Sequence, residues 1–370
     1  MTRSLPGGPD LQLKGGGWAG RLQSAATSVG LKMIPWVPTR AKRLLSGGRS
    51  VTIDGNTLDP TLQLALSGMR AFGVNGLVLG GDVTISRAQM REMTAGFAGP
   101  QIHVGVSDLS IPGPAGQIPA RHYHPATPGP APLLVFYHGG GWTIGDLDTA
   151  DPLCRLTCRD ACVHVLSIGY RLAPEHPAPA AIDDAYAAFT WAYQHAADLG
   201  AIPGTVVVGG DSAGGNLAAV VSQLARDEDP AGPQPVLQWL LYPRTDFTAR
   251  TRSLSLFTDG FLLTRADIDW FTGQYLGGSG VDPADPRVSP LLADSLSGLP
   301  PALIATAGFD PLRDEGDRYA AALRAAGTPV DLRSLGSLTH GFASLFPLGG
   351  GSALATTELI SALRAHLSRV

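Results

Sequence analysis

This chain of 370 residues has three cysteines, a small share of charged residues and no long apolar run. The cysteines, Cys154, Cys158 and Cys162, give neither an even disulfide set nor a C-x-x-C zinc motif. Their spacing of four residues places them on one face of a helix, where we expect small buried side chains. We therefore predict no metal site. The chain also lacks the roughly 18 consecutive apolar residues that a transmembrane helix requires.

The charge of the chain excludes further classes of function. Charged residues make up 16% of it, and 27 basic against 31 acidic side chains give a net charge of −4. Proteins that bind nucleic acid present a basic face, so we expect no nucleic acid partner. Residues 1–14 contain no apolar core long enough for a signal peptide. The sequence predicts a cytoplasmic protein.

Short apolar runs alternate with helical patterns from about residue 100 onward. Strand-like runs occupy 133–137, 163–168, 205–210, 236–242, 302–309 and 330–335, and helical patterns occupy 178–197, 213–227 and 313–326. Continuous apolar strands that alternate with helices are typical of a parallel sheet covered on both faces. The sequence therefore predicts an α/β fold with a mostly parallel central sheet flanked by helices.

Other segments stand outside this alternation. Residues 1–20 contain six glycines and two prolines, which predicts a loose N-terminal arm. Residues 58–72 and 86–98 have amphipathic helical patterns. Residues 247–276 are rich in aromatic and aliphatic side chains but have no strand pattern. We expect this last segment to form an apolar insertion over the sheet.

A serine flanked by glycines follows the run at 205–210. Gly210 to Gly214 is the only G-x-S-x-G in the sequence, and an apolar helical pattern follows it. Strand, sharp turn and helix is the context in which this motif presents a nucleophilic serine at a helix N-terminus. A phosphate loop is the competing interpretation, but no G-x-x-x-x-G-K-[ST] occurs. We predict that Ser212 is a nucleophile.

Chain order restricts the base, because the triad of such hydrolases runs serine, acid, histidine. Only His340 and His366 follow Ser212. His366 lies in a helical tail, whereas His340 follows the strand-like run at 330–335 by a short loop. His340 is therefore the predicted base.

The acid is less restricted, since thirteen aspartates lie between Ser212 and His340. Asp310 directly follows the run at 302–309, so it stands at the carboxyl end of a strand, where α/β proteins build their sites. The acidic residues within 314–317 fall in the next helix, whose first turn favours negative charge. Asp310 is the predicted acid, which fixes the tautomer of the histidine.

Three consecutive glycines follow the first strand-like run, in the sequence HGGGW at 138–142. Acyl transfer places negative charge on the carbonyl oxygen, and backbone N–H groups must converge on that charge. A glycine turn after a strand, upstream of a nucleophile turn, is typical of lipases and esterases. We assign the N–H groups of Gly139, Gly140 and Ala213 to this oxyanion hole.

Four sets of residues resemble, in order, the motifs of the hormone-sensitive lipase family of carboxylesterases, the bacterial family IV group. They are HGGGW at 138–142, YRLAPEHPAPAA at 170–181, GDSAGGN at 210–216, and DPLRDEG at 310–316 with HGF at 340–342. The resemblance covers about residues 53–370. It implies a serine carboxylesterase that cleaves short- to medium-chain esters through an acyl-enzyme intermediate, without a cofactor.

The resemblance also implies a domain organisation. A helical cap would consist of 21–98 and the insertion at about 247–276, and the α/β-hydrolase catalytic domain would be 99–370. Homodimers that form through an edge strand are frequent in such proteins. The residues that we expect to line the substrate pocket are Trp142, Phe261, Leu262 and Phe342.

Two other functions stay open from the sequence. An amidase, for instance an arylformamidase, would use the same triad and oxyanion hole, so the motifs do not separate it from an esterase. A non-catalytic ligand-binding relative is the second alternative. The serine, acid, base and glycine donors are all present here, although the fold alone cannot decide the matter. We expect a small-molecule ester as the substrate.

Overall fold

The computed structural model describes residues 33–97, 99, 101–126, 129–228 and 232–369. The arm predicted at 1–20 and the beginning of the segment at 21–98 lie outside the described residues. None of the described helices is long and apolar enough to span a membrane.

Ten strands occur in the described part of the chain. They are β1 (Thr52–Ile53), β2 (Asn56–Thr57), β3 (Gly105–Gly113), β4 (Gly116–His124), β5 (Ala131–Tyr137), β6 (His164–Ile168), β7 (Ala201–Asp211), β8 (Leu237–Leu241), β9 (Ala302–Phe309) and β10 (Val330–Thr339). β1 and β2 form a small hairpin, and the other eight form one sheet in the order β10-β9-β8-β7-β5-β6-β4-β3. The six strands from β5 to β10 are parallel, which confirms the predicted α/β fold.

The antiparallel pair β3 and β4 at one edge of the sheet is not predicted by the sequence. The pair is a hairpin, and β4 runs antiparallel to β6. Its residues alternate irregularly between exposed and buried positions, and Pro112 and Pro119 interrupt its strand pattern. Proline lacks the N–H group that a sheet needs, so it weakens a strand prediction. Because β3 and β4 lie at the edge of the sheet, the N–H groups that these two prolines lack are not needed for pairing with a further strand.

Ten α-helices accompany these strands in the described residues. They are α1 (Thr39–Leu45), α2 (Pro60–Ala71), α3 (Val83–Phe97), α4 (Leu147–Ala161), α5 (Ala180–Gln194), α6 (Ala213–Glu228), α7 (Arg252–Leu256), α8 (Arg265–Leu276), α9 (Arg313–Ala325) and α10 (Gly350–Leu367). Short 3-10 turns lie at Ile34–Trp36, Pro290–Leu292 and Phe346–Leu348.

The central strands bury both of their faces. Val206 and Val208 on β7 pack in a core with α5, α6 and α9. Val207, between them, packs in a second core with α2, α4 and α10. Because successive side chains of a strand point to opposite faces, a strand covered on both sides reads as a continuous apolar run. The runs in the sequence therefore predict β5 to β10 correctly.

The cysteines lie on and just after α4. Cys154 and Cys158 are buried in the core between this helix and the sheet, as their spacing predicts. Cys162 ends the helix in a left-handed conformation and is only half-buried. All three are free thiols.

The N-terminal helical segment up to residue 97 and the insertion at 247–276 pack together over the carboxyl ends of the parallel strands. Leu77 and Met90, from the N-terminal segment, contact a small core that includes Ile268 and Phe271 of α8. The buried carboxylate of Asp267 on α8 accepts hydrogen bonds from the backbone N–H groups of Leu77 (3.1 Å) and Val78 (2.9 Å). One side chain thus ties together segments that are about 190 residues apart.

A buried ion pair fixes the segment 170–181 after β6. The carboxylate of Asp184 on α5 is buried and accepts hydrogen bonds from the Arg171 guanidinium, at 2.8 Å from Nη2, and from the Arg171 backbone N–H at 2.9 Å. A planar guanidinium and a carboxylate form a geometrically specific pair. The pair anchors the start of this segment to α5.

We expect Asp184→Asn to lower the free energy of unfolding by about 2–3 kcal/mol, because it leaves Arg171 without its anionic partner. Asp269→Asn is the matched control, since Asp269 pairs with Arg265 on the exposed surface of α8. That substitution is expected to cost less than about 0.5 kcal/mol. Urea unfolding of both variants measures the difference, and equal losses would contradict a special role for the buried pair.

Candidate active site

Ser212 occupies a sharp turn between β7 and α6. Its backbone has φ of 56°, a left-handed conformation that is costly for a residue with a side chain. The turn is held by the Ser212 N–H, which donates to the Leu241 carbonyl at 2.8 Å. A Cβ atom on Gly214 would overlap the carbonyl of Tyr137 on the neighbouring strand β5. The second glycine of the motif is therefore required by the close approach of two backbones.

The three predicted catalytic residues meet at the carboxyl ends of their strands. His340 Nε2 lies 2.8 Å from Ser212 Oγ, and His340 Nδ1 lies 2.7 Å from Asp310 Oδ2. Asp310 and His340 are both buried. The Leu312 N–H donates to the other carboxylate oxygen of Asp310 at 2.8 Å, which orients the carboxylate. The arrangement can pass a proton from the serine to an imidazole whose tautomer the carboxylate fixes.

The competing histidine is placed elsewhere. His366 lies on α10, and its Nε2 is 3.2 Å from Asp331 Oδ2. Asp331 is near the start of β10, so this pair lies at the amino ends of the parallel strands, whereas Ser212 lies at their carboxyl ends.

The acidic residues of α9 have structural partners. Asp314 accepts a hydrogen bond from the Ser253 N–H at 2.8 Å, and Asp317 accepts one from Thr306 Oγ1 at 2.9 Å. Glu315 is fully buried and accepts one from the Thr245 N–H at 2.9 Å. Burial raises the pKa of Glu315 to about 7. None of the three reaches His340, because their side chains are turned toward the elements that pack on α9.

Backbone N–H groups surround the serine on one side. Gly140 and Gly141 have φ of 111° and 57°, and both line the cavity above Ser212 together with Ala213. The N–H groups of these three residues have no hydrogen-bond partner among the described residues. Vacant donors beside a nucleophile are what a developing oxyanion requires.

Gly139 does not belong to this set, which corrects the sequence assignment. Its N–H donates to Asp211 Oδ1 at 2.7 Å, and the residue does not line the cavity. Gly141 stands in its place. A run of three glycines carries no signal for which N–H groups face the substrate. The informative residue is Asp211, a carboxylate next to the nucleophile that takes up one of the donors.

Asp211 joins the nucleophile turn to the glycine loop. Burial raises the pKa of its carboxyl from 3.8 to about 6, while the Gly139 N–H and the nearby His340 oppose this shift. A buried carboxylate without a cationic partner is costly, and its hydrogen bond offsets only part of that cost. The Asp211–Gly139 contact therefore sets the position of the loop relative to Ser212.

His138 holds the glycine loop from the other side. Its ring stacks on Tyr170 at a centroid distance of 4.3 Å, and the Tyr170 hydroxyl donates to the His138 carbonyl at 2.6 Å. Burial lowers the pKa of His138, so its imidazole is neutral at pH 7. His138 orders the loop, and its side chain does not line the cavity.

Arg87 on α3 connects the upper segment to the loops of the site. Its guanidinium pairs with Glu175 at 2.7 Å and also donates to the carbonyls of Thr143 (2.8 Å) and Ala173 (3.0 Å). Arg91, one turn further along α3, pairs with Asp146. The helix that covers the cavity is thereby attached to both loops beside the serine.

The cavity above Ser212 has a volume of about 870 Å³, including its open mouth. Its walls are mostly apolar and come from α3, α8 and the loops of the sheet. A volume of this size is typical of small-molecule sites. Among the described residues that line it, three carry titratable side chains: Asp211, Arg244 and His340.

Two of the four predicted pocket residues line this cavity. Trp142 and Leu262 do, but Phe261 packs against Phe257 and Phe309 below it. Phe342 is fully buried and packs edge-on against the Tyr242 ring. Phe261 and Phe342 each adjoin a cavity residue in sequence, Leu262 and Gly341, but they pack elsewhere, so adjacency alone is a poor guide. Six further lining residues are not predicted from the sequence: Met90, Met93 and Phe97 of α3, Ile268 and Phe271 of α8, and Arg244.

Comparisons with known proteins show which family this chain is similar to. A family model described as alpha/beta hydrolase fold matches residues 134–344. The chain is 71% identical to the carboxylic ester hydrolase LipN of Mycobacterium tuberculosis, over 100% of both chains. It is 40% identical to the carboxylesterase NlhH of the same organism, over 85% of this chain and 98% of NlhH.

Solved structures of ester hydrolases are also similar to this chain. An ester-hydrolase from the metagenome of Lake Arreo, complexed with a derivative of bipyridine phosphonate, has a TM-score of 0.79 at 38% identity and covers 84% of this chain and 99% of its own. A Pyrobaculum calidifontis esterase has a TM-score of 0.76 at 36% identity and covers 83% and 98%, respectively.

The raised pKa of Asp211 predicts a pH dependence of stability. Between pH 4 and 6 the folded state keeps the Asp211 proton that the unfolded chain releases, so rising pH weakens folding. In Asp211→Asn this contribution is absent, while an amide oxygen can still accept from Gly139. We expect the stability of the wild type, relative to this variant, to fall by up to about 3 kcal/mol between pH 4 and 7. Urea unfolding at several pH values measures it, and a pH-independent difference would contradict the assignment.

Proposed function

Because this chain belongs to the hormone-sensitive lipase-like, bacterial family IV group of α/β-hydrolases and is a carboxylic ester hydrolase, we propose that it works as a serine esterase, with Ser212, His340 and Asp310 as its catalytic triad. The observation that carries the proposal is the continuous contact from Ser212 Oγ through His340 to Asp310, at 2.8 and 2.7 Å. It lies beside three vacant backbone donors at the base of an apolar cavity.

The first half of the reaction forms an acyl-enzyme. His340 Nε2 takes the proton of Ser212 while Oγ bonds to the ester carbonyl carbon. The carbonyl oxygen becomes negative and accepts hydrogen bonds from the N–H groups of Gly140, Gly141 and Ala213. When this intermediate collapses, the bond to the alcohol oxygen breaks, and the alcohol leaves with the proton from His340.

The second half releases the acid. A water molecule gives a proton to His340 and bonds to the acyl carbon, which restores the negative oxygen in the same set of donors. Collapse breaks the bond to Ser212 Oγ, which recovers its proton from His340. Asp310 holds His340 through Nδ1 and stabilises the imidazolium that forms in each half. No cofactor takes part in these steps.

The substrate that we propose is an ester of a short- to medium-chain acid. The apolar wall of the cavity, from Met90, Met93 and Phe97 on one side and Ile268 and Phe271 on the other, supports it. We assign these walls to a cap made of the helical segment up to residue 98 and the insertion at 247–276, above the catalytic part at 99–370. Ester names among the relatives favour an esterase over an amidase, although both reactions would use the same residues.

We also propose that the chain forms a homodimer through an edge strand. The two edges of the described sheet are β10 and β3. An edge strand offers unpaired backbone N–H and C=O groups that a second copy can use.

Ser212→Ala is expected to lower kcat on p-nitrophenyl butyrate by roughly 10⁴-fold or more, because it removes the atom that carries the acyl group. A fluorophosphonate probe should label the wild type once and leave this variant unlabelled. The exposed Ser110 on β3 gives the matched control, since Ser110→Ala should keep both activity and labelling. Retained turnover in a folded Ser212→Ala protein would mean that another residue is the nucleophile.

A series of p-nitrophenyl esters from acetate to palmitate tests the proposed substrate. We expect kcat/KM to be highest between butyrate and octanoate, because the apolar walls bind methylene groups up to the length that the cavity holds. A maximum at palmitate would identify a long-chain lipase.

A further inference from the structure

Arg244 is a charged side chain in the active-site cavity that the mechanism does not use. It follows β8, which lies between the strand that leads to Ser212 and the strand that leads to Asp310. The carbonyl of Arg244 accepts a hydrogen bond from Asn216 Nδ2 at 2.9 Å, which fixes its backbone against α6. Arg244 lines the same cavity as Ser212 and His340.

The guanidinium of Arg244 is buried without a polar partner. The residue is 8% exposed, and its Nε and Nη1 atoms are buried with no hydrogen-bond partner in the described part of the chain. Nor does any carboxylate of the described residues lie within ion-pair distance of it. The ring of Phe247 lies 4.7 Å from the guanidinium carbon, in a cation–π contact. A guanidinium has five donors and no acceptor, so leaving them unmet is costly.

Other arginines that are buried to a similar degree form ion pairs with carboxylates. Arg313, for example, pairs with Asp54 and Asp314, and Arg155 pairs with Asp151. Glu315 interacts with Arg244 through space, and its Oε1 accepts the Thr245 N–H. Burial brings the pKa of Glu315 to about 7, so its charge is incomplete at neutral pH. Arg244 therefore keeps an unbalanced positive charge that faces the cavity.

We propose that Arg244 binds a carboxylate carried by the ester substrate, so that the chain prefers esters with a free acid group over neutral esters of the same size. This inference rests on the serine esterase function proposed above. A carboxylate matches the planar fork of a guanidinium and forms two charge-assisted hydrogen bonds with it. The surrounding apolar wall excludes water and strengthens such a contact. Asp211 is the acidic residue among the described lining residues of the cavity, and one of its carboxylate oxygens accepts the Gly139 N–H.

The carboxylate can belong to either part of the ester. On the acyl side, the substrate would be a half-ester of a dicarboxylic acid. On the alcohol side, it would be an ester whose leaving group carries the acid. The shared chemistry is a carboxylate held at a fixed distance from the carbonyl that Ser212 attacks.

Two pairs of substrates separate these cases. Mono-p-nitrophenyl glutarate is compared with p-nitrophenyl pentanoate, and 4-acetoxybenzoate with 4-acetoxybenzamide. Each pair is measured as kcat/KM on the wild type, Arg244→Met and Arg244→Lys. Titration of the active serine with a fluorophosphonate normalises each rate to the folded fraction. Dividing the rate on the acidic ester by that on its neutral partner cancels general effects of the substitution on the site.

In one of the two pairs, we expect this ratio to fall roughly 10- to 100-fold in Arg244→Met, as for the loss of a charged hydrogen bond. Arg244→Lys should recover part of it, because the charge returns without the planar fork. The pair that responds identifies the side of the ester that carries the acid. Arg265→Met is the control, since Arg265 is exposed on α8 and pairs with Asp269. It should leave both ratios unchanged.

Equal losses on acidic and neutral esters would overturn the inference and make Arg244 a structural residue. Unchanged ratios in Arg244→Met would overturn it as well. In both cases, turnover of the neutral esters by the wild type would leave the proposed esterase function intact. A folded wild type that is inactive on all four esters would instead overturn the esterase function and this inference together.

Discussion

The register between β5 and β7 is the constraint on which the site depends. Tyr137 at the end of β5 lies beside Gly210 of β7, so the glycine loop and the nucleophile turn leave the sheet side by side. Their backbones approach so closely that only a glycine fits at position 214. The Asp211–Gly139 hydrogen bond then fixes the distance between the two turns. Ser212 and the vacant backbone N–H groups beside it are thus positioned by one pair of strands before any other residue of the site is considered.

A second set of contacts surrounds this pair of turns and keeps it rigid. Tyr170 stacks on His138 and bonds to its carbonyl, and the Arg171–Asp184 pair anchors the segment that carries Tyr170. From above, Arg87 bonds to the carbonyls of Thr143, just after the glycine loop, and Ala173, in the segment that follows β6. Preorganised donors lose little free energy to reorientation when charge develops on the substrate. Most of the polar contacts around the site serve this purpose and touch no substrate.

Much of the fold and the positions of the triad could be predicted, because they follow from features that are local in sequence. A strand buried on both faces gives a continuous apolar run, and a nucleophile turn needs its glycines. Asp310 and His340 directly follow strands, so chain order and strand ends are enough to choose them. The β3–β4 pair escaped prediction because its prolines and exposed positions hide the strand pattern.

Features that depend on packing between distant segments were not predictable. The sequence does not say which glycine of 139–141 turns its N–H toward the serine, since the Asp211 carboxylate decides it in space. The same holds for Phe261 and Phe342, which are directed into the core, and for Arg244, which reaches the cavity only because β8 lies between β7 and β9.

The contact of Asp267 with Leu77 and Val78 has a consequence for how the pocket comes into being. The wall of the cavity is joined across about 190 residues of chain, and the base follows some 70 residues later. Closing so long a loop is slow, because its conformational entropy is lost before the contact is gained. During synthesis the α3 wall precedes the serine, whereas the serine turn is complete only after β8 has been made, because the Ser212 N–H bonds to the Leu241 carbonyl. The α8 wall and the base follow later still, so the pocket is assembled only after nearly all of the chain up to residue 340 has been synthesised.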